Sequence, residues 1–264
     1  MEIELLPTFE ESYAIEGVIG SGFWATVYLA TRDGKKYAAK IPHHDSDTDI
    51  ESLEGRYKTV IDTSVDIVLD QARTIAKLQD ESRYFPKYFG LYKTYRRIYR
   101  TSRWIPVLVM EMIEGPSLEQ IMDTSEELLD GEASVNILRD VIAGVRALHN
   151  RGLVHGDIKE DNIIVSGDEA VIIDIAGVVE DLTEYNLAEE LGTITEYEEE
   201  LLERNTMLEL NMLKDIYGIG QVMLNLSSYV EGNTASLLSD VGTQATSEDI
   251  FERPSLEDML NMLA

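Results

Sequence analysis

The chain has no cysteine, so no disulfide framework exists and nothing in its composition points to secretion. No apolar run approaches the ~18 residues that a membrane-spanning helix requires. The opening M-E-I-E-L-L-P-T-F-E-E lacks the basic region and apolar stretch of a secretory leader. These absences lead us to expect a soluble, cytoplasmic protein with no membrane contact. Basic residues are also scarce: 22 Lys and Arg stand against 50 Asp and Glu, a formal charge of −28. Such a chain repels a phosphate backbone, so nucleic acid is not an expected partner. A solvated acidic surface tuned to high salt, a basic partner, and a basic protein substrate all remain compatible with this charge.

The rest of the composition is that of a globular protein: 264 residues, 44% hydrophobic and 27% charged, long enough to bury a sizeable core. The distinctive stretch runs from Gly152 to Gly177, G-L-V-H-G-D-I-K-E-D-N-I-I-V-S-G-D-E-A-V-I-I-D-I-A-G. It reads as a helix exit, a polar loop, and two short apolar strands around a tight turn at Ser166 to Glu169. The residue types suit phosphoryl transfer. A hard cation bound to a nucleotide triphosphate takes oxygen ligands, here Asn162 and Asp174. An attacking hydroxyl needs a carboxylate to orient it and accept its proton, the role open to Asp157. Lys159 is placed to neutralise charge on the transferring group.

H-G-D-I-K-E-D-N followed by D-I-A resembles the catalytic and metal-binding loops of protein kinases, H-R-D-L-x-x-x-N and D-F-G. The resemblance extends along the chain. Gly20, Ser21 and Gly22 form the crest of a hairpin like the family's glycine loop, with Val27 at the valine position and Ala25 in place of the third glycine. Lys40, one hairpin later, resembles the strand lysine that pairs with the α- and β-phosphates, and Ala38 joins Val27 among the nucleotide-binding positions. Met110, Glu111 and Met112 occupy the place of the inter-lobe hinge, Met110 lining the adenine pocket and backbone groups of the other two meeting its edge. The helix from about Val65 to Leu78 stands where the family carries a glutamate that clamps the lysine. Here the choice lies among Asp70, Gln71 and Glu54, with Asp70 preferred because glutamine carries no charge.

In the C-terminal half, the helix Val135 to Asn150 supports the catalytic loop, with His149 structural and His155 packed beneath the loop. Asp215, on a long apolar helix, matches the aspartate that hydrogen-bonds the catalytic-loop backbone. Glu200 and Arg253 resemble the pair that anchors the activation segment, although A-P is missing before Glu200. The interval from Asp215 to Arg253 is shorter than in the family, which puts the helix that helps dock protein substrates in doubt.

The resemblance implies a two-lobed α+β fold. It has an antiparallel sheet with one main helix over 1–111 and a mainly helical lobe over 112–264, with an activation segment at 174–200, all in one catalytic domain. It implies ATP and Mg2+ as cofactors and transfer to Ser/Thr hydroxyls of proteins, with autophosphorylation. The alternatives are a small-molecule phosphotransferase of the aminoglycoside or choline kinase sort, which often has H-G-D, and a pseudokinase that binds without chemistry. Gly156 replaces the usual arginine that reads a phosphate on the activation segment, so activity is expected not to depend on phosphorylating Thr183, Thr193 or Thr195. Ala176 in place of the D-F-G glycine is expected to restrict a backbone flip. Finally, residues 87–103 hold six basic residues and no acidic one, interleaved with tyrosines. They form either a basic hairpin or a docking site for an acidic partner.

Overall fold

The computed structural model describes residues 7–43, 56–81, 83–98, 101–125, 129–167, 169–175 and 207–264. The chain divides into two compact units, Met1–Ser82 with Pro86–Ile113, and Arg83–Phe85 with Glu114–Ala264. Among the described residues no helix is long and apolar enough to cross a membrane.

The first unit is built on alternating, β-branched and aromatic segments that pair as an antiparallel sheet. Its strands are β1 (Ala14–Ser21), β2 (Ala25–Arg32), β3 (Lys35–Pro42), β4 (Tyr88–Ile98) and β5 (Thr101–Glu111), in the order β1-β2-β3-β5-β4. Asp33-Gly34 turns β2 into β3 and sets a register in which Val27 opposes Lys40. Strand alternation then sorts side chains by face. One face carries Ala39, Ile41, Ile105, Val107 and Val109, which form a core with Phe9, Tyr13 and Tyr92. Phe9 stacks on Tyr13 with ring centroids 5.3 Å apart, and Tyr13 meets Tyr92 edge-on at 5.2 Å.

Helix α1 (Arg56–Lys77) begins well before Val65, where apolar spacing first signals it. Its inward stripe includes Ser64, Gln71 and Thr74, all buried beside Val68, Ala72 and Ile75. Polar residues within the stripe blur the hydrophobic period.

The basic ribbon 87–103 is a hairpin whose described cations are largely satisfied within this unit. Arg96 pairs with Glu10 at 2.9 Å, Arg103 with Asp62 at 2.7 Å and Lys87 with Glu111 at 3.8 Å. The Lys93 ammonium lies 5.2 Å from the Trp104 ring centroid, and Trp104 meets Tyr95 at 5.1 Å.

The second unit is mainly helical. Helix α2 (Leu118–Thr124) starts in a capping box between Ser117 and Gln120. Helix α3 (Gly131–His149) begins one turn before the apolar period at Val135, because Asp130 caps it by accepting from the Ala133 amide at 2.8 Å. The loop after α3 leads into the hairpin β6 (Ile163–Ser166) and β7 (Glu169–Ile172). Helices α4 (Met207–Ser227), α5 (Gly232–Ala245) and α6 (Leu256–Met262) complete the unit. Its core runs through Leu138, Val141, Ile142 and Val145 of α3, Ile219, Val222 and Met223 of α4, and Met259 of α6. Between Asp215 and Arg253 the only full α-helix beginning among the described residues is α5, in keeping with the short interval in the sequence.

Phe9 has no exposed surface although it sits on a single 3-10 turn near the start of the described chain. Phe9→Ala is expected to destabilise the first unit by about 3–5 kcal/mol through lost burial and a residual cavity. Urea unfolding followed by tyrosine fluorescence measures it, and a loss under about 1 kcal/mol would show that the turn is only loosely docked.

Candidate active site

The second unit contributes a loop held from below by one carboxylate. Asp215, on α4, has about 1% of its surface exposed. Its Oδ2 accepts from the His155 amide at 2.8 Å, and its Oδ1 accepts from the Gly156 amide at 2.8 Å. Nε2 of His149, at the end of α3, lies 2.9 Å from Oδ2. Three donors around a buried charge satisfy what burial would otherwise penalise. Asp215 and His149 thus take the positions anticipated for them, and His149 is structural.

His155 is itself fully buried. Its Nε2 faces the Ile173 carbonyl at 2.9 Å while its Nδ1 accepts from the Asp157 amide at 3.2 Å. An acceptor at Nδ1 and a carbonyl at Nε2 select the neutral tautomer protonated on Nε2. Complete burial pushes its pKa below the usual histidine value, against the attraction of Asp215, Asp157 and Asp174.

Gly156 has φ of 82°, in the left-handed region. A side chain there is strained by about 1–2 kcal/mol, so the backbone conformation by itself favours glycine. Ile158 is pinned from α4: a Cβ on Gly218 would lie 2.9 Å from the Ile158 carbonyl oxygen, so only glycine admits this approach.

On this support the predicted residues of the loop converge. Lys159 Nζ lies 2.7 Å from Asp157 Oδ2, and both side chains are about half exposed (47% and 52%). This bond is the main cause that raises the lysine pKa above its ordinary value, so Lys159 remains a cation. The Asn162 amide donates to the Asp157 carbonyl at 2.8 Å and to Asp157 Oδ2 at 3.1 Å. Both of its described bonds use the nitrogen, which turns the amide oxygen to other duty. The Ile173 amide donates to the Asn162 carbonyl at 2.9 Å, bringing the end of β7, and with it Asp174, beside Asn162. Asp174 has φ of 62°, strain of the kind found at functional positions.

An amide oxygen and a carboxylate fit a hard divalent cation. Among the described residues no group of three or more His, Asp and Glu could hold a metal ion without other ligands.

The first unit holds the nucleotide-side residues on one face of its sheet. Gly20 opposes Val27, Val27 opposes Lys40, and Lys40 opposes Leu108, forming a row across the strands. Ala38 opposes Met110 in the next row of the same face. Ser21 ends β1, and the Gly22 amide donates to the Ala25 carbonyl at 3.0 Å, closing the crest. His43 lies against this crest, its Nε2 2.7 Å from the Gly22 carbonyl, a contact that no motif in the sequence signals.

One expectation needs correction. Asp70, the preferred partner of Lys40, is ion-paired with Arg73 on the open side of α1. It is Gln71 that lies on the buried stripe (5% exposed), as does Lys40 on its strand (6%), while Glu54 lies outside the described residues. The helical period decides this, since adjacent residues point about 100° apart. Of the backbone groups of Glu111 and Met112 expected at an adenine edge, the Glu111 amide donates to the Lys87 carbonyl at 2.8 Å.

Arg253 donates to the Leu213 carbonyl at 2.9 Å and the Ser247 carbonyl at 3.0 Å, with its guanidinium 5.0 Å from the Tyr217 ring centroid. Its expected partner Glu200, the threonines Thr183, Thr193 and Thr195, and Ala176 lie outside the described residues.

Residues 13–235 match the family model described as the protein kinase domain. The chain belongs to the protein kinase family. The sheet unit with its helix and the mainly helical unit are the lobes of that fold. Among similar proteins, serine/threonine-protein kinase PknL of Mycobacterium tuberculosis is 40% identical over 74 residues, 28% of this chain and 18% of PknL. Serine/threonine-protein kinase cst-1 of Caenorhabditis elegans is 26% identical over 176 residues, 66% of this chain and 30% of cst-1. A probable serine/threonine-protein kinase PknB of Lactococcus lactis is 25% identical over 119 residues, 45% of this chain and 19% of that protein. The matched segments thus span less than a third of these relatives' own length. Membership of the family implies use of ATP with a divalent metal.

The neutral tautomer of His155 makes this kinase acid-sensitive. The unfolded chain protonates this residue near pH 6.5 and the folded chain only at lower pH, so its contribution is complete above about pH 6.5 and is lost as the pH falls below it. The melting temperature is expected to fall from pH 7 to pH 5 more steeply in the parent than in His155→Asn. Parallel slopes would remove His155 as the cause.

Proposed function

We propose that this protein kinase transfers the γ-phosphoryl group of ATP to Ser and Thr hydroxyls of protein substrates, with Mg2+ as the metal. The observation that carries the reading is Asp157, half exposed, held by Asn162 and bonded to Lys159 at 2.7 Å. An incoming hydroxyl would share Asp157 with Lys159. As its oxygen bonds to the γ-phosphorus, the bond to the bridging oxygen of ADP breaks and the hydroxyl proton passes to Asp157. Lys159 stays protonated and faces the charge on the transferring group. Asn162 and Asp174 would hold Mg2+, which supplies charge neutralisation at the phosphates. Lys40 would meet the α- and β-phosphates, the crest Gly20, Ser21 and Gly22 would cover them, and Val27, Ala38 and Met110 would contact the base with the Glu111 carbonyl and Met112.

A lysine two residues after the base, and relatives whose names all read serine/threonine-protein kinase, support hydroxyls of Ser and Thr. Gly156 gives the small-molecule alternative less support, because the backbone alone accounts for the glycine. The same proposal takes 1–264 as one catalytic domain with lobes 1–111 and 112–264 and an activation segment at 174–200, active without phosphorylation there and capable of autophosphorylation. The net charge of −28 favours basic substrates. A cytoplasmic setting belongs to it too. An acidic partner of residues 87–103 would meet Lys93 and Tyr95 beside the adjacent Trp104, since Lys87, Arg96 and Arg103 are in ion pairs.

Incubation with labelled ATP, Mg2+ and a basic protein such as histone is expected to label Ser and Thr. Asp157→Asn should lower the rate at least a hundredfold while leaving nucleotide affinity within about threefold. Label in a small metabolite alone, or equal rates for parent and variant, would contradict the proposal.

A further inference from the structure

The crest of the glycine loop is held by a residue from the end of the lysine strand. His43 follows β3 directly, and three contacts join it to the loop and the strand beyond. Its amide donates to the Trp24 carbonyl at 3.1 Å. Its Nε2 lies 2.7 Å from the Gly22 carbonyl oxygen. Its Nδ1 lies 3.5 Å from the Thr26 hydroxyl, at the limit of a hydrogen bond. A carbonyl only accepts, so Nε2 carries the proton towards Gly22, and Nδ1 is left to accept from Thr26.

The consequence follows from peptide planarity. In a trans peptide the carbonyl of one residue and the amide of the next point in opposite directions, and there is no cis bond among the described residues. Fixing the Gly22 carbonyl on His43 therefore fixes the Phe23 amide facing away from His43. Among the described residues the Gly22 amide donates to the Ala25 carbonyl at 3.0 Å, a bond that leaves the orientation of the next peptide, Gly22–Phe23, to other contacts, and the Phe23 ring meets its neighbour Trp24 edge-on at 4.6 Å. Phe23 cannot serve as an anchor by burial, since 77% of it is exposed. His43 is therefore the group that decides which way this peptide faces.

We propose that His43 is a positioning residue for the nucleotide phosphates, presenting the Phe23 amide as a preoriented donor to the terminal phosphates of ATP. The inference rests on the reading of this site as an ATP site. It ties the loop to the strand that carries Lys40, so that the two phosphate-binding groups of this unit are set by one segment, 40–43.

The test measures binding rather than turnover. In a Trp104→Phe background the remaining tryptophan, Trp24, reports on the loop, and its fluorescence is titrated with ATP and with adenosine in Mg2+. His43→Phe keeps a ring and removes the donor, whereas His43→Gln returns an N–H at similar reach. His43→Phe is expected to weaken ATP about three- to tenfold, the worth of one oriented hydrogen bond, with adenosine affinity unchanged and His43→Gln close to the parent. Equal losses for ATP and adenosine, no loss in His43→Phe, or failure of His43→Gln to restore ATP affinity would overturn the proposal. A parent that binds neither ligand would instead contradict the nucleotide reading of the site, and the two failures are thereby separate.

Discussion

A charge taken out of water must be surrounded by donors or it destabilises the fold by several kcal/mol. Asp215 is buried in the helical unit, and its requirement is met by the amides of His155 and Gly156 and the ring of His149. The demand runs both ways. The carboxylate needs those donors, and the donors belong to the loop that carries Asp157, so the loop has one conformation in which the charge is satisfied. Gly156 at φ of 82°, the neutral His155, and the close pass of Gly218 beneath Ile158 are consequences of reaching that conformation. The half-exposed side chains of Asp157 and Lys159 rest on a loop held by the buried Asp215 and His155.

The first unit solves a different problem with the sheet's alternation. Two antiparallel registers, set by the Asp33-Gly34 turn and by the pairing of β3 with β5, place Val27, Lys40, Ala38 and Met110 on one face. The other face is closed by an aromatic core around Phe9. A slip of one residue would exchange the faces and put Lys40 into that core. The burial of Ala39 and Ile41 therefore specifies the position of the lysine between them.

Much of this was legible because the chemistry-bearing residues lie close together in the sequence. The loop from His155 to Asn162 and the hairpin after it are local, and so are the caps at Ser117 and the turn at Asp33-Gly34. Helix starts were less so. The apolar period of α3 begins at Val135 although Asp130 caps it, and α1 begins at Arg56, nine residues before the apolar period starts at Val65, with the polar Ser64 buried at the junction. The choice of Asp70 over Gln71 followed charge, and the helix face overruled it, since Asp70 points to Arg73. His43 was invisible because its importance comes from Gly22, 21 positions away.

By itself the sequence determined the inventory: a phosphoryl-transfer loop, a glycine crest, a strand lysine, an acidic chain without cysteine, and their order along the polypeptide. Residue type and local spacing are sufficient for that, because turns, caps and short loops are governed by neighbours in the chain. Only the tertiary structure decided which donors satisfy Asp215, which side of α1 faces the sheet, which cations of residues 87–103 are neutralised, and what holds the crest of the glycine loop. Each of these depends on burial and on hydrogen bonds between segments distant in sequence, and burial is a property that a side chain acquires only when the rest of the chain closes around it.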